Sequence, residues 1–303
     1  MKKHFSKIIF GAIVAVLATS GFIATSVHAF EQPRIFLQVT PAKQNIGKLN
    51  PGQTYQGSFK VQNVGKEGFN FKIYATPFKI INENYDKNFE RADNYSQMTK
   101  WFTFSQTKGH LKPESEVEIH YTVKVPHNVP AGSQHMAIMA ATNDGADKGN
   151  IKAISRVGMI LRTTINGKTR ACAKILQNDL PFLYFNPPVQ VTSRLENCGN
   201  IDLKAKYTIT VTSLFGGKPV YSNAKQPITQ DLYPESKYLS ATTWPNAPRI
   251  GIFWVEHQIQ VAKETNTIKK LVIIFPVWLL VVIALLILTL VFRFLMRRRA
   301  RQN

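Results

Sequence analysis

Residues 271–292 hold no charged side chain, and this run constrains the chain more than any other feature. As a helix rising about 1.5 Å per residue, these 22 residues cover a hydrocarbon core of roughly 30 Å. A lone segment in lipid satisfies its backbone only as a helix. Pro276 falls near one end of the run, where a lost backbone bond costs least. Trp278 stands where an amphipathic ring meets headgroups. Arg293, Arg297, Arg298, Arg299 and Arg301 then crowd residues 293–303. Such charge resists translocation, which predicts one C-terminal transmembrane helix, a cytoplasmic basic tail and an extracellular region up to residue 270. Residues 263–270 read as a short stalk.

The other end has the pattern of a targeting segment. Lys2, Lys3 and Lys7 precede an apolar stretch at 8–17, and Val27-His28-Ala29 offers a cleavage site. Residues 1–29 are therefore expected to be a signal peptide, with an uncleaved anchor helix as the competing reading. No cysteine follows the apolar stretch, which excludes a lipoprotein anchor at this end.

Charge and cysteine usage agree with an exported chain. With 3 basic residues of the N-terminal segment and 5 of the tail set aside, 30 basic and all 18 acidic residues remain, an excess of 12. That excess is dispersed, so it implies a general attraction to polyanions rather than a defined site. Cys172 and Cys198 are the two cysteines, and outside the cytosol such a pair forms a disulfide. The 25 residues between them place its stabilisation on the order of 3 kcal/mol.

Between the two ends, short runs alternate apolar and polar residues and are bounded by Gly, Pro and Asn. Residues 59–62, 69–74, 117–125 and 206–211 are examples, and they predict half-buried antiparallel strands. The fold class expected is all-β: two tandem immunoglobulin-like β-sandwich domains, 30–167 and 168–267, plus the helix at 271–292. A polar turn is expected at 143–150, and a long loop at 82–96. An internal repeat supports the two copies. Val61-Gln62-Asn63-Val64-Gly65 is echoed by Leu195-Glu196-Asn197-Cys198-Gly199, and Leu111-Lys112-Pro113-Glu114-Ser115 by Leu232-Tyr233-Pro234-Glu235-Ser236.

The first copy carries a likeness to a known family. Val39-Thr40-Pro41, the turn Leu49-Asn50-Pro51-Gly52-Gln53 and the strand Phe59-Lys60-Val61-Gln62-Asn63 contribute to it. So do the strand 117–126, Pro130-Ala131-Gly132, and the strand from Arg156-Val157-Gly158 to Asn166-Gly167. With the order of signal peptide, two sandwiches, helix and basic tail, the chain resembles the WxL-interacting proteins of Gram-positive bacterial surfaces. That resemblance implies that the first domain attaches to cell-wall polymer or peptidoglycan and the second to a partner surface protein. A membrane-tethered assembly factor, chaperone-like or sensor ectodomain for exported proteins is the alternative.

No catalytic residue, metal ligand set or cofactor site is identified. The exported histidines His110, His120, His127, His135 and His257 have no metal-ligand spacing, and no nucleophile elbow or phosphate loop occurs. The expectation is a non-enzyme without cofactors. Aromatic side chains are the better binding candidates. Tyr85, Phe89 and Tyr95 lie in the polar loop and Trp101 follows it, where rings stack on sugars or anchor a partner unless a core claims them. Phe253 and Trp254 are adjacent in a late strand, so one of them points outward. Basic and aromatic character together also suits nucleic acid, but an exported, anchored chain gives no reason to expect that partner.

Overall fold

The computed structural model describes residues 35–142 and 154–299. The expected signal peptide, the polar turn at 143–150 and Arg301 lie outside the described residues. Alternating burial builds the strands in order along the chain. The first set is β1 (Leu37–Thr40), β2 (Lys43–Leu49), β3 (Thr54–Asn63), β4 (Phe69–Thr76), β5 (Lys79–Ile80), β6 (Lys87–Asn88), β7 (Phe102–Phe104), β8 (Lys108–Leu111), β9 (Glu116–Lys124), β10 (Gly132–Thr142) and β11 (Arg156–Ile165). A 3₁₀ turn at Gln97–Trp101 leads into β7.

Two sheets of this set face each other, one ordered β1-β3-β9-β7 and the other β2-β11-β10-β4-β8. The chain crosses from one sheet to the other at Pro41, and β2 then runs parallel to β11 from Lys43 beside Ile160. Phe59, Val61, Ile119 and Tyr121 of one sheet meet Phe69, Phe71, Met136, Ile138 and Leu161 of the other in a common core. In β4 every second residue faces that core, so Phe69, Phe71 and Ile73 are buried while Asn70 and Lys72 are exposed.

The second set is β12 (Ala173–Asp179), β13 (Leu183–Tyr184), β14 (Val189–Asn197), β15 (Leu203–Ser213), β16 (Tyr221–Ser222), β17 (Ile228–Leu232), β18 (Lys237–Trp244), β19 (Gly251–Val261) and β20 (Glu264–Ile274). One sheet runs β12-β14-β18 and the other β13-β20-β19-β15-β16, with β17 also on β15. Val189, Val191, Ile209, Val211, Trp244 and Val255 fill the core between them. In β19 the chain alternates so that Phe253 packs toward Trp244 while Trp254 points outward. Cys172 and Cys198 are disulfide-bonded at the start of the β12–β14 hairpin, with Cα atoms 4.9 Å apart.

A third apolar cluster joins the two sheet pairs. Phe78, Tyr85, Ala137 and Ile160 of the first pack with Leu203, Tyr207, Leu232, Tyr233 and Val261 of the second.

The helix α1 spans Val277–Arg299 and is long and apolar enough to cross a membrane. Its apolar side chains are exposed along its described length, which is unfavourable in water and natural in lipid. Two expected boundaries are corrected. Residues 263–270 form no stalk, because β20 pairs with β19 without a break from Val261 beside Glu264 to Gly251 beside Ile274. The second sheet pair therefore reaches Ile274 rather than 267, and the helix begins at Val277 rather than 271. Hydropathy alone merges the apolar end of a strand with the helix behind it.

Candidate polypeptide-binding edge

The structure disperses the four rings expected to form a binding loop. Tyr85 is only 7% exposed and sits at the junction of the two sheet pairs. Its hydroxyl accepts the Tyr233 backbone N–H at 3.0 Å and bonds the Ser236 hydroxyl, and its ring lies 4.9 Å from that of Tyr238. Burial pushes the Tyr85 phenol up to about 12. Tyr95 donates its O–H to Glu235 Oε1 at 2.8 Å. Burial first, then the Glu235 hydrogen bond and charge, push its phenol up to about 12 as well. Trp101 packs on the first core. Tyr95 and Trp101 share a cleft of about 410 Å³ with Pro130 and Asn200, whereas Phe89 lines a separate groove of about 580 Å³ with Tyr74, Met139 and Arg156. The loop 82–96 thus lies across the junction, because the turn at 232–236 supplies rings, a backbone donor and a carboxylate that its side chains satisfy.

Charged pairs lock the same junction. Arg162 Nη2 is 3.0 Å from Asp231 and its Nη1 3.5 Å from Asp202, while its guanidinium lies over the Tyr233 ring. Burial raises the Asp202 carboxyl above the usual carboxylate range in spite of Arg162. Arg194 pairs with Glu83. Asn200 donates to Ala131 O and Lys168 O, and its side-chain oxygen accepts the Arg170 N–H. His135, a buried histidine as its apolar surroundings suggest, has its ring centroid 4.4 Å from that of Phe78 in a tilted pair and its Nε2 3.7 Å from Asp93. Burial would raise the Asp93 carboxyl, but the His135 contact and the Tyr95 N–H hold it below its ordinary value. These contacts make the junction a packed interface.

Part of the outer edge of β11 is open among the described residues. Thr142 N–H donates to Ser155 O, and Ser155 N–H to the Thr142 side-chain hydroxyl; with that pairing continued along the antiparallel ladder, the odd-numbered residues of β11 turn their N–H and C=O toward β10. The even-numbered ones face the other way. Ile160 N donates to Ala42 O at 3.0 Å, and from there β2 covers β11 to Ile165. Arg156 and Gly158 present their N–H and C=O in the same direction, and no strand pairs with them among the described residues. Ile154, just before this edge, is an exposed apolar side chain, and the groove holding Phe89 and Arg156 adjoins it. Such an edge forms main-chain hydrogen bonds with an added strand while side-chain pockets select its residues.

In the sequence Arg156-Val157-Gly158 opens a strand with no sign of a binding role. A glycine inside an apolar strand, marking a close approach, is the signal that singles it out. A Cβ at Gly158 would sit 2.4 Å from Met139 Sδ.

No family model matches the chain, and no curated protein does. Among solved structures, similarity is found to the class 5 fimbriae chaperone CfaA, at 13% identity and a TM-score of 0.40, covering 78% of this chain and 99% of that one. The CsuC–CsuE chaperone–tip adhesion subunit pre-assembly complex of Acinetobacter baumannii Csu pili follows at 11% and 0.38, covering 77% and 97%. The E. coli chaperone DraB matches at 11% and 0.37, covering 79% and 97%. These findings correct the resemblance to WxL-interacting proteins, which none of the comparisons supports. With it falls the attachment to wall polymer or peptidoglycan, which rested on that resemblance.

Proposed function

We propose that the chain is a membrane-tethered, non-catalytic assembly factor that holds an extended segment of another exported protein. The observation that carries this reading is the open edge at Arg156 and Gly158, two residues whose outward main-chain groups have no partner among the described residues. A captured segment would continue the five-stranded sheet beyond β11, where β2 leaves off. In this reading residues 30–167 and 168–274 are two tandem immunoglobulin-like domains, and the duplicated turns at Asn63 and Asn197 support it. Residues 1–29 direct export, α1 anchors the chain, and the Arg-rich tail stays in the cytoplasm. The partner is a surface protein, recognised mainly through its backbone. The dispersed positive excess favours an acidic partner but selects no sequence.

Photo-crosslinking tests this directly. A benzophenone side chain replaces Ile154 beside the edge or, as control, Lys204 on β15, in the full chain expressed in cells of its own kind. An exported protein attached through an extended segment at 154 and absent at 204 is the expected result. Equal yields at both positions, or none at 154, would remove the reading.

A further inference from the structure

Resting on the reading that α1 spans the membrane, we infer that the α1-proximal end of the second sheet pair is itself a lipid-binding surface, seated in the headgroup layer of an anionic leaflet. Three connections close this end: residues 180–188, which carry the short strand β13, with 214–220 and 245–250. They meet there because Ser213 lies beside Phe253, Gly251 beside Ile274, and Tyr184 beside Ile274. The chain leaves for α1 from the same place. Phe275 N still donates to Tyr184 O at 2.8 Å, and Leu279 N already bonds Pro276 O at 3.0 Å. Only Phe275 and Pro276 separate strand from helix, a reach of about 7 Å. A helix entering lipid at Val277 therefore holds these loops at the bilayer surface.

Their composition suits that position. Phe215 is 96% exposed at a loop tip and Phe182 66%, with Phe185, Val220 and Ile250 also exposed around them. A soluble surface would not gather such rings, whereas an interface belt takes them at headgroup level. The only charges in the three loops are Lys218 and Arg249, and no acidic residue occurs in them. Basic side chains beside inserted apolar ones match lipid phosphates. The flanking glycines Gly216 (φ +80°) and Gly217 (φ +102°) let the tip turn tightly with nothing near them.

The test uses the full chain in vesicles of phosphatidylcholine with phosphatidylglycerol, carrying a single NBD label at Phe215→Cys, Leu286→Cys or Lys108→Cys. Both native cysteines are consumed in the disulfide, and the Phe215 side chain is outside every core. Lipids bearing a nitroxide near the headgroup end of the acyl chain report burial. The expected result is quenching at 215 several-fold above that at 108, lowered when phosphatidylglycerol is omitted, together with quenching at 286 by a nitroxide deep in the chain. Quenching at 286 with 215 no different from 108 overturns the inference and leaves the membrane span standing. Absence of deep quenching at 286 overturns the span and this inference with it.

Discussion

Asn197 repeats the role of Asn63. Asn63 Nδ2 donates to Glu67 O, to Lys112 O and, at 3.5 Å, to Leu111 O, its Oδ1 accepts the Gly65 N–H, and its own N–H reaches Ser115 O. Asn197 donates to Ile201 O and Leu232 O, accepts from Gly199 N–H, and its N–H reaches Ser236 O. Both are buried, at 1% and 0% exposure. The turns they clamp share a left-handed glutamate, Glu114 (φ +56°) and Glu235 (φ +54°). One amide side chain thus ties a strand end to a distant turn in each half of the protein.

Replacing either asparagine by alanine strands buried carbonyls and an N–H. Since each such bond contributes about 1 kcal/mol net, Asn63→Ala and Asn197→Ala should each lose roughly 2–4 kcal/mol in denaturant unfolding. Equal losses would confirm equal roles, while a loss under about 1 kcal/mol at either site would show that water replaces the clamp.

The disulfide closes the hairpin that carries Asn197, across a sequence separation of 26. The double replacement Cys172→Ala with Cys198→Ala should therefore cost about 3 kcal/mol, seen as a lowered thermal midpoint. Added reductant should reproduce the shift in the native chain and leave the double variant unchanged.

Tyr85→Phe removes the acceptor of the buried Tyr233 N–H but leaves the ring in place. A loss of about 1–3 kcal/mol is expected, with faster proteolysis near residues 82–96. The Tyr85 phenol is raised to about 12, above its unfolded value near 10, so the neutral form is the one the fold holds. Its contribution is complete below pH 10 and is lost as pH rises toward 12, and Tyr85→Phe should flatten that alkaline loss.

His257 gives the opposite pH behaviour. It is buried, with Nδ1 2.8 Å from Asn178 Oδ1 and Nε2 without a hydrogen-bond partner among the described residues, and burial lowers it to about 4. The neutral ring is favoured in the fold, so its contribution is complete above the unfolded value near 6.5 and is lost as pH falls toward 4. The loss is on the order of 3 kcal/mol at the acid end, and His257→Gln should remove that dependence. A variant that loses as much stability between pH 7 and 4 as the parent chain would contradict this assignment.

Arg156→Pro deletes an outward N–H that β10 does not use, at an edge where proline is tolerated. Crosslinking from position 154 should fall by about an order of magnitude, equivalent to about 1.4 kcal/mol. The thermal midpoint should stay close to that of the parent chain. A variant that captures its partner as well as the parent would show that the bond is not made there.

Much of this architecture was legible beforehand because its causes are local. Strand alternation marked β4, β9 and β15, paired turn residues exposed the repeat, and a lone pair of cysteines in an exported chain named the disulfide. Local chemistry also chose between Phe253 and Trp254 only as far as saying that one must face out. Register against β15 and β20 decided that it is Trp254.

The amino-acid order by itself determined that β-strands form, where they turn and that an uncharged apolar segment follows them, since periodicity and composition act over a few residues. Tertiary structure decided what those elements meet. Tyr85 became a buried bolt because the 232–236 turn happens to face it. Leu271 joined a strand because β19 offered it a ladder. Arg156 and Gly158 stayed open among the described residues because β2 pairs with β11 only from Ile160 onward. Three loops distant in sequence gathered beside the helix for the same reason: strand order and register are settled by long-range pairing, which no short stretch of sequence encodes.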